Sequence, residues 1–191
     1  VPRFYSLASA TTDGFAEICV RKHPGGLSST QLLDLAPGDS IHAFVRRNPG
    51  FRPKPGCAPI ILIGAGTGIG SLAGFVRANA SHRPMHMFFG ARHPDSDSLY
   101  AADLAEWAGE GKLTTLTRTF SRSAERLYVQ DALRHDAVRL ARLIGDGAQV
   151  LVCGGREMAA GVSAALTEIL APMNLTPATL KAQNRYVEEV Y

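Results

Sequence analysis

A run of apolar residues that ends in a glycine-rich loop constrains the fold of this chain more than any other feature. Ile60–Ile63 contains no polar residue, as expected of a strand that is buried on both faces of a sheet. The loop Gly64–Gly70 follows directly, and Gly68–Asn79 is predicted to be a helix. A strand, a glycine loop and a helix in this order are typical of a phosphate site, because the helix N-terminus offers free amides and a partial positive charge.

The spacing of the loop matches neither of two common nucleotide motifs. Ile69 stands where a G-x-G-x-x-G motif counted from Gly64 would place its third glycine. A Walker loop needs a lysine, which this loop lacks. A nucleotide site and a tight turn that binds no ligand therefore both remain open from the loop alone.

The rest of 58–191 alternates predicted strands with predicted helices. The further strands are 85–89, 113–119, 149–153 and 185–190. The further helices are 98–107, 129–143 with a break near Asp136, 157–170 and 178–183. This alternation predicts an α/β domain over 58–191 with an open parallel sheet that has helices on both faces.

Residues 1–57 have a different pattern and are predicted to form a separate region. Strand-like stretches occupy 4–7, 15–21 and 40–45, and a short helix is predicted at 29–35. Three prolines and two glycines in 48–56 resist any regular element, so this stretch is interpreted as a linker.

Composition excludes several classes of function. The formal net charge of +3 and the absence of a basic run argue against a nucleic-acid partner. No apolar run reaches the ~18 residues that span a bilayer, so this segment is expected to make no membrane contact. No metal site is expected, since Pro84 prevents His82 and His86 from sharing a helix face. The sparse cysteines favour a reducing compartment.

The segment Pro59–Ile69 resembles the nicotinamide-binding loop of the ferredoxin–NADP reductase family. That family includes the diflavin reductases, of the sulfite reductase flavoprotein and cytochrome reductase type. The resemblance implies that Gly66, Thr67 and Gly68 bind NADP near its pyrophosphate or nicotinamide. Family members usually carry proline at the position of Ala65 and Ala-Pro in place of Gly70-Ser71.

Two further segments resemble the flavin motifs of this family. In Arg3-Phe4-Tyr5-Ser6, the resemblance implies that Arg3 binds the FAD pyrophosphate, Tyr5 stacks on the flavin ring and Ser6 bonds near N5. The second motif implies a pyrophosphate site at a helix start, and Cys19 and Val20 are implied to make backbone contacts to the flavin. The residues of the second motif are Gly26, Leu27, Ser28 and Ser29. An ordinary strand and an ordinary capped helix start are the alternatives.

A cluster of donors after the predicted strand 113–119 resembles the segment that recognises the 2′-phosphate of NADPH in diflavin reductases. Arginine, serine and tyrosine donors suit a phosphate, whereas NAD enzymes usually place a carboxylate on the 2′-hydroxyl. The resemblance favours NADPH over NADH, and a solvated basic turn is the alternative. The implied residues are Ser121, Arg122, Arg126, Tyr128 and Gln130.

The resemblance also implies a catalytic set of Ser6, Cys153, Glu189 and Tyr191. Cys153 would lie beside the nicotinamide, Glu189 would join Ser6 and Cys153 in a hydrogen-bonded set, and Tyr191 would stack on the flavin ring. Plain packing of a buried cysteine and a frayed terminal strand are the alternatives.

The family's flavin domain is an antiparallel barrel of about six strands. Residues 1–57 match only its later part, so the chain is expected to be a fragment of a longer protein. The implied reaction is hydride transfer from NADPH to FAD, which then passes electrons to a flavodoxin-like, haem or iron–sulfur partner. The alternative is an NADP-binding module without turnover. A cytoplasmic location is expected, with any membrane tether lying in regions outside this chain.

Overall fold

Within residues 2–191, which the computed structural model describes, five strands form one sheet in which every neighbouring pair is parallel. The order across the sheet is β3-β2-β1-β4-β5. The strands are β1 (Ile60–Ala65), β2 (Met85–Ala91), β3 (Thr115–Phe120), β4 (Gln149–Gly154) and β5 (Tyr186–Val190). The predicted parallel sheet is confirmed.

Helices cover both faces of this sheet. One core cluster packs α4, α5, α6 and α7 on one face, and a second packs α2 and α3 on the other. Residues 60–63 of β1 are fully buried between them, because Ile61 and Ile63 point to one cluster and Ile60 and Leu62 to the other. The helices are α1 (Leu27–Leu33), α2 (Ile69–Arg77), α3 (Ala101–Gly109), α4 (Val129–His135), α5 (Ala137–Gly145), α6 (Arg156–Leu170) and α7 (Pro177–Ala182).

The predicted break near Asp136 separates α4 from α5. Asp136 has φ −104° and ψ 25°, outside the helical range, and its carboxylate accepts a 2.8 Å hydrogen bond from Arg139 Nε. The break predicted near Asp136 within 129–143 is therefore confirmed.

Residues 2–57 do not form the strands predicted at 4–7, 15–21 and 40–45. A single antiparallel bridge joins Leu7 to Ile18 in this region. A strand needs a neighbour for its amides and carbonyls, and residues 40–45 are exposed throughout, including Phe44 and Val45. The predicted helix 29–35 begins two residues earlier, as α1. A partial barrel is thus absent from the described residues.

The first segment of the chain, residues 2–57, nevertheless makes close contact with α2. A Cβ added to Gly74 would lie 3.1 Å from the Leu7 carbonyl oxygen, so helix and segment are in backbone contact. Arg77 at the end of α2 makes ion pairs with Asp13 (3.3 Å) and Glu17 (3.2 Å). Its guanidinium also lies over the ring of Trp107, 5.3 Å from the centroid.

The stretch 48–56 has no helix or strand, as predicted for a linker, but it is fixed to the sheet domain. Phe51 is buried and packs against Phe75, with ring centroids 5.7 Å apart. The buried side chain of Gln149 accepts a hydrogen bond from Lys54 N (2.9 Å) and donates one to Arg52 O (3.1 Å).

Candidate functional site

The order of strands creates a crevice between β1 and β4. The chain moves outward from β1 to β2 on one side and from β4 to β5 on the other, so α2 and α6 leave on opposite faces. In parallel sheets, ligands bind at the carboxyl ends of the strands at such a switch point. Gly64 and Cys153, each one residue before the end of its strand, are paired in register here.

The glycine loop follows β1 at this crevice as a short 3-10 turn, Gly66–Gly68, that leads into α2. Gly66 has φ +56°, which favours glycine. A Cβ on Gly68 would overlap the Cys153 carbonyl oxygen, so the loop lies against the end of β4 without an intervening side chain.

Tyr191 lies over the same loop. Its hydroxyl is 2.9 Å from Thr67 Oγ1, and its backbone amide donates a 3.2 Å hydrogen bond to Gly154 O. The side chain remains 62% exposed. An exposed aromatic ring held at the mouth of the crevice is suited to stacking against a planar ligand.

The Glu189 carboxylate collects donors from three parts of the chain. Ser6 Oγ donates to Oε2 at 2.6 Å, and the Cys153 thiol lies 3.8 Å from the same oxygen. Asn48 Nδ2 donates to Oε1 at 2.9 Å. The sequence-predicted set Ser6, Cys153 and Glu189 is thus brought together. Sequence reasoning missed Asn48, because its only signal was a place in a stretch rich in proline and glycine.

Burial determines the protonation of Cys153. Its side chain is almost fully buried, and desolvation raises the pKa of the thiol to about 12, with the hydrogen bond from Ser71 opposing the shift and the Glu189 charge adding to it. The thiol therefore stays protonated near neutral pH and acts as a weak donor rather than as a nucleophile.

A cavity of about 400 Å³ opens beyond the end of β3. Backbone bonds from Ser121 N to Ala91 O (2.9 Å) and from Arg122 N to Arg92 O (2.8 Å) hold this turn against the loop after β2. Two arginines, two serines and a tyrosine line it: Ser121, Arg122, Ser123, Arg126 and Tyr128. Four of these were predicted from the sequence. Ser123 was missed, although a hydroxyl residue directly after Arg122 was a usable signal.

Gln130 lies elsewhere. Its side chain packs on Gly161 of α6, where an added Cβ would lie 3.1 Å from its amide carbon. It therefore contributes to the contact between α4 and α6 and does not line the cavity.

The residues of the first segment that are predicted to contact the flavin are exposed or half-buried. Arg3 is exposed, while Tyr5, Cys19 and Val20 are half-buried. A Cβ on Gly70 would lie 3.0 Å from the Cys19 Cβ, so the glycine that departs from the family pattern leaves room for this cysteine.

The start of α1 borders a second cavity, of about 560 Å³. Gly26, Leu27 and Asp34 are among the residues that line it, and Leu27 is 89% exposed. Ser28 is half-buried. The buried Ser29 hydroxyl is occupied locally, since it accepts from His23 N (3.0 Å) and lies 3.3 Å from Gly26 O.

A comparison with protein families decides the class of the domain. The family model for the oxidoreductase NAD-binding domain matches residues 62–164, more than half of the chain. This range runs from β1 into α6 and includes both the glycine loop and the cavity after β3. The chain belongs to the oxidoreductase NAD-binding domain family.

Curated relatives of this oxidoreductase domain carry the name sulfite reductase [NADPH] flavoprotein alpha-component. The chain is 34% identical to that of Salmonella typhi over 215 aligned positions, which cover the whole chain and 36% of the relative. The corresponding proteins of Escherichia coli and Klebsiella pneumoniae are 33% and 32% identical over the same shares. The chain thus spans about a third of the length of these relatives, and its resemblance to the ferredoxin–NADP reductase family is confirmed.

Among residues 2–191, no group of three or more His, Cys, Asp or Glu side chains is arranged to hold a metal ion. Cys19, Cys57 and Cys153 are free thiols. No helix in the described part of the chain is long and apolar enough to cross a membrane.

Proposed function

We propose that this chain is the NADPH-binding part, with a portion of the flavin-binding part, of a flavin-dependent NADPH oxidoreductase. The single observation that carries the proposal is the contact of Ser6 and Cys153 with Glu189 at the crevice beside the glycine loop. We assign residues 1–57 to the end of a flavin-binding β-barrel domain and its linker, although residues 2–57 form only one antiparallel bridge among themselves, and 58–191 to the NADP-binding domain. A cytoplasmic location is part of this proposal.

The donors around the cavity after β3 fit the 2′-phosphate of NADPH. Two guanidinium groups and two serine hydroxyls line it, and no carboxylate does so among the described residues. Arginine binds phosphate strongly because its planar fork makes charge-assisted bonds to two oxygens. NADH, which has a neutral hydroxyl at this position, would gain little from the same donors.

The opposite end of the dinucleotide fits the glycine loop. Gly66, Thr67 and Gly68 bring the backbone of β1 and the start of α2 close to any ligand at the crevice, and the helix start favours a pyrophosphate. A nicotinamide at this place would lie beside Cys153 and Glu189.

The assignment of FAD rests on the residues that would contact its flavin ring. Tyr191 offers an exposed aromatic face, and the Ser6 hydroxyl is held by Glu189. Arg3, Tyr5, Cys19 and Val20 are assigned to the same cofactor. Its pyrophosphate is assigned to the start of α1, at Gly26, Leu27, Ser28 and Ser29.

With both cofactors bound, the chemistry supplied would be transfer of a hydride from NADPH to FAD. The residues of this chain position and solvate the reacting groups. Glu189 fixes the Ser6 hydroxyl by accepting a hydrogen bond from it. The protonated Cys153 thiol fills the pocket without adding charge. Tyr191 covers the crevice and must move aside before a nicotinamide stacks there, so it gates access.

The electron acceptor is proposed by chemistry, as a flavodoxin-like, haem or iron–sulfur domain or protein that takes electrons from the reduced flavin. The relatives named as NADPH flavoprotein components of sulfite reductase support an acceptor of this kind.

A second candidate is an NADP-binding module without turnover. Two observations favour it: Asp34, whose negative charge would repel a pyrophosphate, lines the cavity at α1, and the Ser29 hydroxyl is already bonded locally. In this case NADP binds at the glycine loop and the cavity after β3, but flavin does not stay bound.

One experiment separates the two candidates. The protein is mixed with FAD, freed of excess by gel filtration and titrated anaerobically with NADPH while the flavin absorbance is recorded. Retained flavin that is bleached by NADPH, and much more slowly by NADH, supports the oxidoreductase. NADP binding by calorimetry without retained flavin supports the module, and no binding of NADP contradicts both.

A further inference from the structure

Asn48 lies in the linker stretch, outside every motif that pointed to the cofactors, yet its side chain reaches the crevice. Nδ2 donates a 2.9 Å hydrogen bond to Glu189 Oε1, and Oδ1 accepts a 3.3 Å hydrogen bond from Phe51 N. A flipped amide would set its oxygen against the carboxylate and its NH₂ against the amide N–H. The two partners therefore fix one orientation of the amide.

The backbone next to Asn48 is held in place independently of Glu189. Phe51 is 6% exposed and belongs to the core on the α2 face of the sheet. Gln149 binds the backbone of Arg52 and Lys54 a few residues further on. Asn48 thus offers its amide from a support that is anchored to β4.

The two oxygens of Glu189 have different partners. Oε2 accepts from Ser6 and lies near the Cys153 thiol, whereas Oε1 accepts from Asn48. The last torsion of a glutamate side chain is broad, so a carboxylate held on one side can turn. A second donor on Oε1 removes this freedom and keeps Oε2 directed at Ser6.

We propose that Asn48 is a positioning residue for hydride transfer, which acts by fixing the orientation of the Glu189 carboxylate beside Ser6 and Cys153. This role rests on the proposed function of the chain. It also links the linker to the site, because the amide that holds Glu189 is itself held by the backbone of the linker.

The sharpest variant is Asn48→Asp, which keeps the shape of the side chain and replaces the donor by a carboxylate oxygen. Two carboxylates then face each other, and we expect kcat for NADPH-dependent flavin reduction to fall about tenfold to a hundredfold, with KM for NADPH changed less than about twofold. Asn174→Asp introduces the same charge at an exposed position after α6 and should leave both constants unchanged.

The defect of Asn48→Asp should shrink as the pH falls from about 8 to about 6. A close carboxylate pair raises one of its two pKa values, and the proton taken up restores a hydrogen bond between positions 48 and 189. The titratable group hydrogen-bonded to Glu189 in the unmodified protein is Cys153, which stays protonated over this range. Asn48→Ala has no group to take up a proton, and its defect should not depend on pH in this way.

A second measurement does not require bound cofactors. The unfolding of Asn48→Ala, Glu189→Ala and the double variant, compared with that of the unmodified chain, gives the coupling between the two side chains. We expect a coupling of about threefold or more in the unfolding equilibrium constant. Additive effects would overturn the contact, and coupling together with unchanged kcat would overturn the positioning role. An unmodified protein that does not pass a hydride from NADPH to flavin would overturn the proposed function and this role with it, whereas the measured coupling would stand.

Discussion

Ser6 Oγ donates a 2.6 Å hydrogen bond to Glu189 Oε2, although 183 positions of sequence separate the two residues. Ser6 lies in the first segment and Glu189 in the last strand of the sheet. The bond forms only when that segment lies against α2 and β5 is paired with β4. The candidate catalytic set therefore depends on how the two regions of the chain meet.

Removing the Ser6 hydroxyl should slow hydride transfer. The hydroxyl is held by a charged acceptor, and its loss leaves the Glu189 Oε2 atom without its short donor. We expect Ser6→Ala to reduce the rate of flavin reduction by NADPH roughly tenfold to a hundredfold in stopped-flow absorbance. Ser96→Ala, on an exposed loop, is the matched control. An unchanged rate in Ser6→Ala would show that the hydroxyl has no part in the step.

Arg122→Ala should distinguish the two nicotinamide cofactors. The guanidinium lines the cavity after β3, and loss of a charge-assisted bond to the 2′-phosphate should weaken NADPH binding about tenfold to a hundredfold. NADH lacks this phosphate, so its affinity should change less than about twofold in titration calorimetry. Arg142→Ala removes the same charge from the exposed end of α5 and should affect neither cofactor. Equal losses for both cofactors in Arg122→Ala would refute the assignment of this cavity.

A methyl group at Gly68 should destabilise the fold. The added Cβ would overlap the Cys153 carbonyl, and this backbone group cannot move aside without a large cost in free energy. We expect Gly68→Ala to lower the free energy of unfolding by about 3 kcal/mol in urea denaturation. Gly109→Ala, at the end of α3 with open space around it, should leave stability unchanged or raise it by less than about 1 kcal/mol. Equal effects of the two substitutions would contradict the close approach of the loop to β4.

Arg77 should control the attachment of the first segment. Its guanidinium is mostly buried, pairs with Asp13 and Glu17 and lies over two aromatic rings. We expect Arg77→Ala to speed hydrogen exchange at the Ala8 amide, which is bonded to Glu17 O, by about tenfold, as for a local loss of 1 to 2 kcal/mol. Arg134→Ala removes an exposed ion pair with Glu168 and should leave this exchange rate unchanged. Unaltered protection in Arg77→Ala would mean that other contacts hold the segment.

Cys153 should make the folded state less stable at high pH. The pKa of its thiol is about 12 when folded and about 9 otherwise, because burial disfavours the thiolate. Above pH 9 the unfolded chain releases a proton that the folded chain keeps, so the free energy of unfolding should fall between about pH 9 and about pH 12. Cys153→Ala should show a shallower decline in urea denaturation over this range. Identical slopes would place the thiol in a more polar setting.

The sheet domain was predictable because its signals are local. Ile60–Ile63 and the glycines after it specify a buried strand and its turn without reference to the rest of the chain. The apolar runs at β2 and β4 did the same, and Asp136 separated two helices that a simple periodicity would join. Strand ends differ from the predicted bounds by two residues or fewer.

The first segment was less predictable because its strands depend on partners. The stretch 40–45 has apolar residues such as Phe44 and Val45, but a strand forms only where another backbone lies beside it. The contact of Asn48 with Glu189 was missed for a related reason, since it joins residues 141 positions apart and neither neighbourhood signals it. Four of the residues that line the cavity after β3 could be named from the sequence because they lie close together in it, whereas the packing of Gln130 on Gly161 joins two helices and has no local signal.

Gly74 has a consequence for the spacing of the reacting groups. The Leu7 carbonyl oxygen lies only 3.1 Å from the position that a methyl group would take there, and Ser6 directly precedes Leu7. Alanine, serine and valine at this position have progressively larger side chains, and each would displace the first segment further from α2. The distance between the Ser6 hydroxyl and the Glu189 carboxylate thus depends on residue 74, which has no functional group of its own.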